Sequence, residues 1–211
     1  DLENKSFVGL HPVPVVYGLT IGEYAKMING EDWLGLNKKA DLTVIKLKNY
    51  NRNEIYELPI PPSPNLPNFK AINLYPSLCL FEGTNVSVGR GTNLQFQIYG
   101  SPNLNKETNK FYFTPKKNIG SKYPKNENIL CFGKDLRSEK VLNEINLNYI
   151  INAYNGSSDK ANFFNSYFIK LSGDESLKNN IVLGKSSDDI KKEWREGIDK
   201  FEKLRKKYFL Y

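Results

Sequence analysis

Between Pro59 and Pro67 the chain reads Pro-Ile-Pro-Pro-Ser-Pro-Asn-Leu-Pro, and no regular element can contain that run. Each proline lacks an amide donor and pushes its predecessor toward extended geometry, which rules out helix and central strand alike. The segment is therefore a rigid loop rather than a flexible linker. Everything else in the 211 residues has to be arranged around it.

Before that loop, residues 1–18 are extended and broken by prolines. Thr20-Ile-Gly-Glu23 has the spacing of a capping box, in which the Thr oxygen and the Glu side chain satisfy each other's free amides. Ile21, Tyr24, Ala25 and Ile28 follow on one helical face, and Asn29-Gly30 ends it. Residues 41–47, Asp-Leu-Thr-Val-Ile-Lys-Leu, predict a strand from their β-branched content and alternation. After the loop, short β-like runs are read at 71–74, 77–81, 85–88, 94–99, 110–114 and 128–132. Near Ser138 the period changes. Val141, Leu142, Ile145, Tyr149 and Ile150 predict a helix over 139–154. Asp174 caps a short helix, and Ser186 to Asp189 forms a second capping box. The helix behind it carries Ile190, Trp194, Ile198, Phe201, Leu204 and Tyr208 on one stripe. The fold class is thus α+β, with a β-rich, loop-rich first part followed by helices, among them a long C-terminal one.

Several chemistries are excluded early. His11 is the sole histidine, so a histidine metal cluster or a Ser-His or Cys-His triad has no basis, and His11 reads as a packing or surface residue. Cys79 and Cys131 sit in apolar runs and read as buried free thiols, with a single disulfide left open. Val88-Gly-Arg-Gly-Thr92 lacks the Lys-Ser/Thr of a phosphate loop. The net charge of +7 is spread along the chain, and Glu193, Glu196 and Glu202 interrupt the basic final helix, which argues against nucleic acid. No run is long enough to span a membrane and no signal peptide is visible. The chain opens without Met, which suggests a fragment or a processed product.

The stretch with most chemical content is Leu74 to Thr92, LYPSLCLFEGTNVSVGRGT. Glu82, Thr84, Ser87, Arg90 and Thr92 crowd there between apolar runs and glycines. Glycines let a backbone approach a ligand closely. A carboxylate, hydroxyls and a guanidinium suit a sugar with an acidic substituent, since Arg grips a carboxylate with two parallel hydrogen bonds. The competing reading is a structural Glu82–Arg90 ion pair that holds a turn. Asn65, held by rigid Pro-Ser-Pro, is either a recognition residue or part of a structural corner.

The order FVGL, PVPV, GLTIGEYAKMING, DLTVI, ELPIPPSPNLPN and LYPSLCLFEGTNVSVGRGT, followed by FTP, CFGKDLR, FFN and RKKYFLY, resembles the NamZ-type exo-β-N-acetylmuramidase family over essentially the whole chain. The resemblance is to the C-terminal domain of a two-domain enzyme. It implies that 1–211 is one domain and that the Rossmann-like N-terminal domain, with the main catalytic glutamates, is absent. It implies a bacterial, exported glycoside hydrolase, periplasmic or extracellular, that releases N-acetylmuramic acid from the non-reducing ends of peptidoglycan fragments. This chain would form part of the substrate cleft and be inactive alone. The implied partners are muropeptides or disaccharides and the N-terminal domain, with no cofactor and no metal. Glu82, Thr84, Ser87, Arg90 and Thr92 match the family's EGT–S–GRGT block, Asn65 its PSPN block and Glu23 its TIGE block. All seven are expected near the cleft, with Arg90 on the lactyl carboxylate and Glu82 on a sugar hydroxyl or orienting the catalytic apparatus. One departure stands out: Tyr17 occupies a position where the family is expected to carry His. The alternative function is a non-catalytic module that binds cell-wall sugar or acts as a scaffold.

Overall fold

A computed structural model describes residues 2–211. In chain order the helices are α1 (Ile21–Gly30), α2 (Phe69–Leu78), α3 (Asn148–Asn155), α4 (Tyr167–Ser172), α5 (Ser176–Val182) and α6 (Ser187–Arg205). The strands, all between α2 and α3, are β1 (Ile98–Ser101), β2 (Phe111–Phe113) and β3 (Cys131–Asp135). The molecule is a mixed α+β protein with a long C-terminal helix, as expected. No helix among the described residues is long and apolar enough to cross a membrane.

The chain divides into two compact units. The first comprises the chain up to Leu10 together with Glu57–Ile190. Its sheet is antiparallel in the order β1-β3-β2, with Gly100 opposite Gly133 and Phe113 opposite Cys131. The glycine pair is required by packing: a Cβ on Gly133 would land on the Tyr99 carbonyl. Phe81 stacks on Tyr99 with ring centroids 4.9 Å apart. Phe163, Phe164, Phe168 and Tyr154 form a second aromatic cluster. Cys79 and Cys131 are both free and buried. Burial pushes their thiols up to about 12 and about 11, so neither supplies thiolate at neutral pH.

Residues 71–81 are not β but the body of α2 and a following 3₁₀ turn, Cys79–Gly83. Asn68 caps the helix by accepting from the Ala71 amide at 2.9 Å, and Ala71, Leu74 and Leu78 bury one face. The helix predicted over 139–154 is restricted to α3. Upstream of it the backbone bonds to side chains of α2 instead of to itself. Leu142 exchanges hydrogen bonds with the Asn73 amide at 2.9 and 2.7 Å, and the Asn146 amide donates to Ser77 Oγ at 2.9 Å. Within 85–88 Ser87 alone makes an isolated bridge, to Gly100, the run at 94–99 becomes strand only from Ile98, and the run at 128–132 is shifted to β3.

The second unit comprises His11–Tyr56 and Lys191–Tyr211. The Thr20 capping box is formed as read, with the Thr20 amide donating to Glu23 Oε2 at 2.8 Å. Residues 41–47, predicted as a strand, pair with no described residue. His11 is a packing residue: Nδ1 lies 2.9 Å from Tyr24 Oη, and its ring stacks on Trp33. Tyr17 stacks on the other aromatic neighbour, Tyr24, at 5.0 Å.

Candidate functional site

The first unit carries a cleft of about 380 Å³, near the lower end of the ~300–1,000 Å³ typical of small-molecule pockets. Its lining includes Glu82, Ser87 and Arg90 together with Gly120, Tyr123 and Lys125.

Arg90 is presented by the two glycines that flank it. Gly89 and Gly91 both have left-handed backbones, at φ 77° and 84°. A Cβ on Gly91 would also come within 2.7 Å of the Lys116 carbonyl oxygen. Thr92 closes the turn, its Oγ1 donating to the Gly89 carbonyl at 2.7 Å and accepting from the Leu94 amide at 2.9 Å. Arg90 Nη1 donates to Glu82 Oε1 at 2.6 Å. Both side chains stay partly open, at 41% and 24% exposure, so their mutual attraction is screened and worth little as a staple. Arg90 Nε is buried and makes no hydrogen bond among the described residues.

Glu82 stands on the 3₁₀ turn, whose position is fixed from two sides. On one side the Asn165 amide donates to the Gly83 carbonyl, and the Asn85 amide donates to the Phe163 carbonyl, each at 2.9 Å. On the other, Lys125 Nζ donates to the carbonyls of Phe81 (2.9 Å), Glu82 (3.4 Å), Thr84 and Val86 (3.2 Å). The ammonium thus gathers a whole turn of backbone. Burial pushes Lys125 down to about 8, with Glu82 opposing the change and Arg90 adding to it.

The other residues singled out from the sequence are placed unevenly. Thr84 and Ser87 are buried and bind their own turns: Thr84 Oγ1 donates to the Phe81 carbonyl at 2.9 Å, and Ser87 Oγ accepts from the Gly89 amide at 3.3 Å. Asn65 is buried and donates to the Gly120 carbonyl at 2.8 Å, which ties the proline loop to the cleft rim, while its Oδ1 has no partner among the described residues. Glu23 belongs to the second unit and is fully buried. Its oxygens accept from the amides of Thr20 and Leu210, both at 2.8 Å, and from Arg52 Nη2 at 2.6 Å. Tyr123 and Lys125 were missed by sequence reasoning. Their signal was the Ser121-Lys-Tyr-Pro-Lys125 run, where an aromatic ring is interleaved with lysines.

Two family descriptions match the chain: "Exo-beta-N-acetylmuramidase NamZ, C-terminal" over residues 73–211 and "Exo-beta-N-acetylmuramidase NamZ, N-terminal" over residues 1–70. The chain therefore holds sequence of both domains, which corrects the expectation that the N-terminal one is absent. A peptidoglycan β-N-acetylmuramidase from Bacillus subtilis (strain 168) is 32% identical over 99% of this chain. A crystal structure of a DUF1343 family protein from Bacteroides fragilis NCTC 9343 superposes with a TM-score of 0.93 at 47% identity over 100% of the chain. A second such protein from that strain shares the fold at TM-score 0.77 and 22% identity. This chain spans 54% of the Bacillus relative's length and 60% and 61% of the two crystallised chains.

Proposed function

The chain belongs to the NamZ exo-β-N-acetylmuramidase family, and from that premise we propose that its cleft is the part of a peptidoglycan hydrolase that grips N-acetylmuramic acid at the non-reducing end of a glycan fragment. The observation that carries this reading is the pairing of a partly open Arg90 with Glu82 in a cleft that Tyr123 also lines. Muramic acid differs from its neighbour sugar by a lactyl carboxylate. The part of the Arg90 guanidinium not given to Glu82 is suited to that group. Glu82 is then placed to accept from a sugar hydroxyl, and the exposed Tyr123 ring offers an apolar face for the pyranose.

Hydrolysis of a glycosidic bond ordinarily uses a carboxylic acid on the leaving oxygen and a second carboxylate as base or nucleophile. This cleft lines up one carboxylate, and that one is bonded to Arg90. The reading therefore gives Glu82 a binding or orienting role and leaves the catalytic carboxylates to the N-terminal part of the enzyme. On this reading the working protein acts outside the bacterial cytoplasm, in the periplasm or beyond.

The test is release of N-acetylmuramic acid from a MurNAc–GlcNAc disaccharide, by this chain and by a protein extended to the relatives' length. The longer protein is expected to release the sugar and the shorter one only to bind it. In the longer protein Arg90→Ala should lower kcat/KM roughly 10- to 100-fold, the value of one charge-assisted hydrogen bond. The same change should barely affect binding of a GlcNAc disaccharide, which lacks the carboxylate. An unchanged kcat/KM on the muramyl substrate would rule out this role for Arg90.

A further inference from the structure

Taking an ammonium out of water is costly unless it gains an ion pair or a full set of hydrogen bonds. Lys125 is half-buried, and the Glu82 carboxylate does not pair with it, being bonded to Arg90. Its partners are main-chain carbonyls: Phe81 at 2.9 Å, Glu82 at 3.4 Å, Val86 at 3.2 Å, and Thr84. Carbonyl oxygens aimed at one point repel one another, and such a cage keeps its shape around a cation. Phe81, Thr84 and Val86 are buried, so water is a poor substitute for the ammonium. Burial lowers Lys125 to about 8, which leaves it charged at pH 7. An ammonium has three N–H groups, and four carbonyls take them up, so none is left for a ligand in the cleft.

The caged segment carries the polar pair of the cleft. Glu82 lies within it. Arg90 lies just beyond, joined through Ser87, whose amide and carbonyl pair with Gly100 at 2.8 and 2.9 Å. Lys125 reaches this segment from a stretch of chain laced along it. The Lys116 amide donates to the Gly91 carbonyl at 2.8 Å, Asn118 Nδ2 to the Thr92 carbonyl at 3.3 Å, and Asn126 Nδ2 to the Asn85 carbonyl at 3.1 Å. Pro124 packs on Gly91, where an added Cβ would come 2.7 Å from Pro124 Cβ. Among these ties Lys125 alone reaches carbonyls both before and after Glu82.

We propose that Lys125 is a positioning residue: its caged ammonium fixes where Glu82 and Arg90 stand, and through that pair it sets how tightly the cleft holds N-acetylmuramic acid, which it does not itself touch. The ligand in this inference rests on the sugar reading of the cleft, whereas the cage rests on the carbonyl contacts alone. A side chain that only packed behind the turn would act by its volume. The cage needs positive charge and N–H donors.

Two variants of this chain at pH 7 test it. Lys125→Met keeps a stem of similar length and removes the donors. Lys125→Ala leaves a slot the size of propylammonium, open to the cleft that Lys125 lines. Hydrogen–deuterium exchange of peptides spanning 82–92 reads the frame, and titration calorimetry reads N-acetylmuramic acid. Lys125→Met should speed that exchange and weaken the sugar roughly 10-fold each, the loss expected for a hydrogen bond to a charged group. In Lys125→Ala, propylammonium chloride should restore both readouts, and 1-propanol with matched sodium chloride should restore neither. Unchanged sugar affinity in Lys125→Met overturns the proposal. Equal recovery with 1-propanol overturns it too, because volume is then what matters, and so does a failure of propylammonium to restore either readout. Where Lys125→Met loosens the whole first unit, the recovery of Lys125→Ala decides. If the unsubstituted chain does not bind N-acetylmuramic acid, the sugar reading falls by itself. The cage is then judged by exchange, and unchanged exchange over 82–92 in Lys125→Met overturns it.

Discussion

Glu23 shows how a buried charge is kept. Burial alone pushes its carboxyl up, but the amides of Leu210 and Thr20, together with Arg52, outweigh that, and the folded value lies below the ordinary 4.5. A carboxylate depressed in the folded state contributes stability that is complete above its unfolded value. That contribution is lost as pH falls through the lowered folded one. The contribution of Glu23 should therefore be full above about pH 4.5 and vanish in stronger acid. Glu23→Gln removes the charge that faces Arg52 and turns one of the two acceptor oxygens into an NH2 donor, so one of the two amides loses its acceptor, which should cost roughly 3 kcal/mol at neutral pH. Thermal melts of both proteins from neutral to acid pH check this: the Tm gap should be several degrees at pH 7 and close below pH 4.5. A gap that is constant with pH would mean that the charge of Glu23 is not what matters. At this scale the candidate site was half legible. Glu82 and Arg90 stand eight residues apart in a glycine frame that advertises a turn. Lys125 is 44 residues from the Phe81 carbonyl it binds, and no local pattern announces such a contact.

Among the elements, those with reciprocal local signals were read correctly. The Thr20 capping box starts α1, and Ser186 Oγ accepts from the Asp189 amide at the start of α6. The errors fell where the local signal has two solutions. Leu-Tyr-Pro-Ser-Leu-Cys-Leu-Phe is a short apolar run, and such runs fit a buried strand or a helix face equally. Asn68 decided for helix, aided by Ala71, Leu74 and Leu78 packing on one side. Over 139–147 the helical period was present, but Asn73 and Ser77 offered the backbone better partners. The sheet has its own constraint, which yields a sharp comparison. A Cβ at Gly133 would strike the Tyr99 carbonyl of the neighbouring strand, and backbone in a ladder cannot step aside. Gly173, at φ 89° with open space around it, meets only the strain of a left-handed backbone. Gly133→Ala should cost ~3 kcal/mol or more and Gly173→Ala about 1 kcal/mol, read as urea midpoints at unchanged slope. Equal losses would mean that the sheet can open at β3 without penalty.

For the whole molecule, the distribution of buried apolar side chains sets how it comes apart. The first unit buries the aromatic clusters, the sheet and one face of α2, whereas the second has Met27 and Phe201 among its described residues. Burial of apolar area is the main favourable term in folding, so the two units should differ widely in stability. The chain reports this without modification, because both tryptophans, Trp33 and Trp194, belong to the second unit. The sheet and α2 to α5 belong to the first unit, and α1 and most of α6 to the second, so far-UV circular dichroism reports on both units together. In urea the tryptophan fluorescence transition should therefore come at a lower concentration than the dichroism transition, which violates the coincidence of probes that a two-state chain requires. Coincident transitions in the 211-residue chain would show that the few buried side chains of the second unit suffice to couple its unfolding to the rest.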